Sequence, residues 1–396
     1  MVAVNPEILK WARETAGLDV EDVAKKIFAD GKKLSAIEKL ESLESGEMEP
    51  TRPQLNKMSK AYHQPLLTFY LSKPPKRGDR GEDFRNLPQR TTDRKGNAHL
   101  DFLMRNIKAS QNLVHNLLED GEDFVPLTFV NSATRSMGVE RVAHDIVNTL
   151  KFDLTIFRKQ KTASDAFKYL RQRVENIGIF VLLASDLGSH HSTIPLEVFR
   201  GFAFADPIAP FIVINRQDAV SAWSFTTLHE VTHLWLGRSG VSGTWGEAEV
   251  ERFCDSVAAS ILLPAAELND LPSMLHMELD EAAAAISSFA AAKNVSRTMV
   301  AYNLLKQDKI RQSLWHALSA RFATEWEKLK DYERASRRQK ESGPSYYAVR
   351  RFHLGPALVG LAKYFVSTGE LTPSKAGVVL GVNPAKVHRL LYPERA

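Results

Sequence analysis

The sequence predicts an α+β fold, mostly helical with one small β-sheet. Three observations predict it. Apolar residues recur at helical spacing over most of the 396 residues. Three short β-rich runs, bounded by Gly, Pro and Asp, fall between residues 178 and 215. Directly after them comes His229-Glu230-Val231-Thr232-His233, in a segment free of Pro and Gly for about five turns.

Composition narrows the class. At 44% hydrophobic and 25% charged residues, the chain reads as soluble and globular. No apolar run approaches a membrane span, and Met1–Thr15 does not read as a signal peptide. One cysteine, Cys254, excludes an internal disulfide framework and fits a reducing cytoplasm, the expected location. It reads as a buried packing thiol. A net charge of +5 and a pI near 9.1 permit nucleic-acid contact without demanding it. Basic residues are spread along the chain, denser at 73–94 and 334–340, and these runs read as solvated faces.

Residues 1–75 read as a compact helical unit. Asn5 is placed to cap a first helix with Pro6 at its first position, and the stripe Ile8, Leu9, Ala12, Ala16 ends at Gly17. Asp19 opens a second helix through Val20, Val23, Ala24 and Ile27. A third spans Leu34–Leu43, and a fourth runs from Thr51 through Leu55, Met58 and Tyr62. With its segment Glu44-x-Gly46-x-x-x-Pro50-Thr51, this unit resembles the Xre/Cro-type helix-turn-helix domain, whose second and third helices face DNA. The third helix also carries Glu38, Glu41 and Glu44, and residues 1–80 hold 14 Lys/Arg against 12 Asp/Glu. DNA binding and protein recognition therefore both remain open for it.

A polar, Pro/Gly-punctuated connector follows, placed at 76–97. Helical periodicity returns over His99–Leu118, Gly138–Leu150 and Ala163–Ile177. The period then changes to the β-rich runs Gly178–Leu183, Gly201–Ala205 and Pro210–Asn215, a small sheet whose edge can hold an extended peptide. His190 and His191 lie in the loop between them and read as exposed loop residues. Asp218 is a start signal and Gly237 a stop for the helix that carries the histidines. After Pro264 come a helix pair over 282–305 and a long charged helix from Trp315 to Arg338, broken at Ser342-Gly343-Pro344. In the tail, Ala376, Leu380, Gly381, Val387 and Leu390 fit a second, smaller helix-turn-helix, with Lys386, His388 and Arg389 on its last helix. An ordinary helical hairpin accounts for the same pattern.

The pattern H-E-x-x-H carries the chemistry. Positions i and i+4 share one helix face, so His229 and His233 can grip one metal ion, and Glu230 is positioned to take a proton from water there. Eighteen residues after His233, Glu251 opens a second helix-like run to Pro264 and can supply the third ligand. Asp255, one turn further on, can accept the spare N–H of a ligating histidine.

These elements, with Asp83-Phe84-Arg85, the Arg200-Gly201-Phe202 strand, and Leu263-Pro264, resemble the ImmA/IrrE family of metallo-endopeptidases, specifically members with an Xre-type N-terminal domain. The resemblance covers most of the chain. It implies a gluzincin-like core, zinc as cofactor, and a bacterial or phage source. The implied partner is a regulatory protein substrate, a DNA-bound repressor or an antitoxin, cleaved under stress or DNA damage. His229, His233 and Glu251 would ligate the metal, and Glu230 would be the general base. The family's motif around Glu251 is often richer in Glu and ends in Asn where this chain has Asp255, and Glu247 and Glu249 are also within reach by sequence.

The expected organisation is thus a helix-turn-helix at 1–75, a linker at 76–97, a zincin-like domain at 98–310 and a C-terminal helical domain at 311–396. Two other functions fit the same residues: a DNA-binding regulator whose zinc domain senses rather than cuts, and a toxin or defence effector with broad proteolysis. The intact Glu230 speaks against the first, since a purely structural site needs no base.

Overall fold

The structure is a computed structural model that describes residues 4–28, 34–74, 93–121, 125–188, 192–241, 248–339 and 343–393. The Asp83-Phe84-Arg85 element, His190, His191 and Glu247 lie outside the described residues. Among the described residues the chain is mostly helical with one small sheet, the α+β class that its periodicities predicted.

Two compact units divide it. One comprises residues 1–106 and 186–198, the other 107–185 and 199–396. In the first, α1 (Pro6–Thr15), α2 (Val20–Ile27), α3 (Ala36–Glu44) and α4 (Arg52–Tyr62) close around Ile8, Leu9, Val23, Leu40, Leu55 and Met58. The Glu44–Thr51 segment does structural work here. The Glu44 carboxylate accepts from Arg13 Nε (2.7 Å) and a second guanidinium N–H (2.9 Å), tying α3 to α1. Gly46 turns the chain at φ +84°, and Thr51 caps α4 in a reciprocal box with Gln54. The unit continues into α5 (Arg94–Glu119), whose residues to Asn106 belong to it.

Helix α5 starts five residues before the predicted His99, inside the expected linker. Asp93 accepts from the Gly96 N–H at 2.8 Å, and a side chain at Gly96 would stand 2.3 Å from that carboxylate. Glycine here serves a tight cap and does not break the helix.

The second unit holds α6 (Val139–Leu150), α7 (Leu154–Arg158) and α8 (Ala163–Glu175). Strands β1 (Phe180–Leu183), β2 (Gly201–Phe204) and β3 (Phe211–Ile214) lead into α9 (Val220–Trp235). Then come β4 (Gly240–Val241), α10 (Ala248–Leu262), α11 (Leu279–Lys293), α12 (Arg297–Lys306) and α13 (Gln312–Gln339). The tail forms α14 (Tyr346–Leu354), α15 (Pro356–Thr368), α16 (Pro373–Val379) and α17 (Pro384–Leu391). The strand order is β1-β3-β2-β4: β1 is parallel to β3, while β2 is antiparallel to β3 and β4. The fourth strand was not legible in the sequence because two residues carry no alternation to read.

The expected break at residue 310 does not separate compact units. Leu318 and Phe322 of α13 belong to the same apolar core as Leu228, Val231 and Leu234 of α9. Arg171 of α8 donates to the carbonyls of Phe352 and His353 on α14. Amphipathic pattern names a buried face but not what that face packs against. No helix among the described residues is long and apolar enough to cross a membrane.

Candidate metal centre

The site is built on two packed helices. From Trp223 to Trp235, α9 is almost wholly buried, between the sheet on one side and α8 and α10 on the others. A helix buried all round must satisfy its polar side chains internally. Thr227 and Thr232 do so by returning their hydroxyls to the carbonyls four residues back, at 2.7 and 2.8 Å. Trp235 stacks on Phe129 with ring centroids 4.5 Å apart and donates to Asp145 at 2.8 Å.

Asp218 does not cap α9 as predicted. Its carboxylate accepts from the Ala219 N–H (2.8 Å) and from Arg200 (2.8 Å), so it fixes the approach from β3 and pairs with the residue before β2. At the far end, Gly237 at φ +65° follows Leu236, with the Arg238 N–H returning to the His233 carbonyl at 2.9 Å. That left-handed stop agrees with the sequence reading.

His229 and His233 sit one turn apart with Nε2 atoms separated by 3.1 Å. Glu251 of α10 brings one oxygen to 3.4 Å from His229 Nε2 and the other to 3.3 Å from His233 Nε2. Among the described residues these three form the cluster able to hold a metal ion. Tetrahedral ligands about 2.1 Å from one ion stand about 3.4 Å apart, so the three donors fit a single small divalent cation. Both histidines are 6% exposed and Glu230 is fully buried.

Asp255 accepts from His229 Nδ1 at 2.9 Å, which leaves Nε2 as the atom facing the cluster. Burial disfavours a charged His229 ring, yet its hydrogen bonds to Asp255 and Glu251 outweigh that and raise its pKa to about 10. Burial also works against a charged Glu251, but the two imidazoles hold its carboxyl well below the usual range. The pocket therefore favours a positive charge among these donors.

Glu249 goes elsewhere, pairing with Arg135 at 2.6 Å on an exposed surface. Residues 251 and 255 lie four apart on one face of α10, and residue 249 falls on another. Cys254 is buried, as a packing thiol would be.

One residue of the site entered the sequence reading only as part of the Arg200-Gly201-Phe202 strand, with no role attached. A side chain at Gly201, the first residue of β2, would stand 2.6 Å from Glu230 Oε1 and 2.7 Å from Thr226 Cγ2. The absence of a Cβ there is what lets the sheet close over Glu230. Glycine inside a strand often marks such an approach, but the sequence does not say what approaches.

The donor set on two packed helices fits a metal-binding domain. Residues 175–305 match the peptidase M78 family model, described as the IrrE N-terminal-like domain, and this stretch is of the ImmA/IrrE type. The match spans the sheet, α9 and α10. No curated protein and no solved structure matches the chain.

Proposed function

We propose that the chain is a zinc-dependent endopeptidase that cleaves a regulatory protein, a repressor or an antitoxin, in a stress, DNA-damage or phage response. One observation carries the catalytic part: three donors spaced 3.1–3.4 Å apart, beside a fully buried Glu230. The substrate class rests on the family resemblance.

His229, His233 and Glu251 would hold the ion, which when bound supplies a Lewis acid to polarise the scissile carbonyl. Asp255 keeps the His229 ring turned with Nε2 inward. Glu230 takes the proton of the attacking water and delivers it to the departing amine. The wall formed by Gly201 keeps that carboxylate in a low-dielectric place, where a proton relay loses little to solvent. Of the two edge strands among the described residues, β4 adjoins β2, the strand that touches Glu230, and is the edge nearer to hand for a substrate backbone.

Replacing Glu230 by Gln tests this reading. The variant keeps its metal and loses cleavage by a factor of about 10² or more. New peptide termini are compared across the proteome in cells carrying wild type or Glu230→Gln. Equal sets of termini from the two would refute the peptidase reading, and termini spread over many unrelated proteins would replace the regulatory substrate with broad proteolysis.

A further inference from the structure

The chain's excess positive charge is concentrated in one place. Residues 343–396 hold seven Lys/Arg and two Glu, whereas the preceding 342 residues hold 45 Lys/Arg and 45 Asp/Glu. Within the described part of that tail, Glu370 is the single carboxylate against Arg350, Arg351, Lys363, Lys375, Lys386 and Arg389.

Two of these cations are used internally. Arg350 donates to the carbonyls of Leu380 (2.6 Å) and Gly381 (3.2 Å) at the end of α16. Arg351 donates to the carbonyl of Leu390 (3.2 Å) near the end of α17. They satisfy helix C-termini that would otherwise lack donors. Lys363, Lys375, Lys386, Arg389 and the ring of His388 are exposed.

The geometry beneath that charge is specific. Helices α16 and α17 are joined by Leu380–Asn383, with Gly381 at φ +57°. They pack so closely that a side chain at Gly377 would stand 2.8 Å from the Val382 carbonyl and 3.3 Å from Pro384. The small residue required at this crossing is thus Gly377, one position after the Ala376 singled out in the sequence. Val387, Leu390 and Leu391 face inward, while Ala385, Lys386, His388 and Arg389 face solvent. Two tyrosines of the first turn of α14 hold the cations in place: Lys386 lies 5.0 Å from the Tyr346 ring centre, and Arg389 lies 5.1 Å from that of Tyr347. Asn383 caps α17 by accepting from the Ala385 N–H at 3.0 Å. A capped helix about 12 Å long, with a cationic outer face and a partner helix crossing at its start, has the dimensions of a major-groove reader.

The N-terminal unit offers no such face on the corresponding helix. There α3 exposes Glu38 and Glu41, and Lys39 is half-buried. Carboxylates turned outward repel a phosphate backbone.

We infer that the face formed by α16 and α17, with Lys375, Lys386 and Arg389 as its contacts, docks on double-stranded DNA. The proposal is independent of the peptidase reading and holds whether or not Glu230 acts as a base.

The test uses the full chain and a labelled mixed-sequence DNA duplex, with anisotropy followed over a range of salt. The chain binds at low salt. Replacing Lys375, Lys386 and Arg389 together by Ala weakens binding at least tenfold and flattens the slope of log K against log salt by about 2.7. A control triple, Lys151→Ala/Lys159→Ala/Lys161→Ala, removes equal charge from exposed positions of the same compact unit and leaves binding unchanged. Lys386→Arg/Arg389→Lys keeps the charge and keeps the affinity, which separates loss of contact from loss of fold. The proposal is overturned if the full chain fails to bind, if the tail triple binds as wild type does, if both triples lose affinity equally, or if single-stranded RNA is bound in preference to the duplex.

Discussion

Two charge clusters in the same compact unit are built on different principles. Arg171 and Glu175, one turn apart on α8, lie 3.0 Å apart with side chains only 3% and 4% exposed. The guanidinium also donates to the carbonyls of Val181, Phe352 and His353, and Glu175 accepts from the Ala357 N–H at 3.1 Å. Burial pulls the Arg171 pKa down and pushes that of Glu175 up, and their mutual attraction opposes both shifts. On α9 and α10 the carboxylates of Glu251 and Asp255 face imidazoles instead. A guanidinium keeps its proton at any accessible pH, whereas an imidazole gives its proton up to a metal. The first cluster is therefore closed and fixes β1 and the tail to α8. The second holds its positive charge on groups that can exchange it, the chemistry a metal site would need.

The largest effect belongs to the closed pair. Arg171→Met leaves Glu175 buried without its cation and is expected to cost about 3–5 kcal/mol of stability. Chemical denaturation reads this directly, and added zinc does not restore it. A loss below about 1 kcal/mol would erase the contrast between the two clusters.

Next comes Gly201→Ala, which pushes a methyl group into the space of Glu230. A displacement of about 1 Å in a catalytic group costs about 10² in kcat/KM. Metal content stays as in wild type, so activity and metal analysis together separate this variant from a ligand mutant. Full activity would mean that Glu230 does not need the wall of β2.

Asp255→Asn removes the charged acceptor behind His229 and is expected to weaken zinc affinity by about 10–100-fold, measured by chelator competition. Unaltered affinity would show that the ring is oriented by packing alone. The smallest effect is that of Glu249→Gln, which breaks an exposed pair with Arg135 and changes stability by less than about 0.5 kcal/mol. A loss of metal from this variant would reopen the assignment of the third donor.

Most of the helices were legible because their signals are local. Asn5, Ser35, Thr51, Thr162 and Ser296 each accept an N–H at the start of their helix, and such caps need nothing from the rest of the chain. The errors came from residues whose role depends on distant neighbours. Asp218 looked like a cap and is a partner of Arg200. Gly96 looked like a linker residue and lies inside α5. The charge of the tail was also in the sequence, but the even spread of Lys and Arg hid it. The informative quantity was the scarcity of carboxylates after residue 342, not the number of cations.

By itself the sequence determined that His229 and His233 share a helix face and that Glu251 and Asp255 share another, because both follow from the helical period. It could not determine that the two faces meet. That needed the packing of α10 on α9, which brings residues 18 apart along the chain within 3.3 Å, and the approach of β2, which encloses Glu230 over a glycine. Spacing along one helix is fixed by backbone geometry. Convergence between helices is fixed by which apolar surfaces bury each other, and that is a property of the folded chain as a whole.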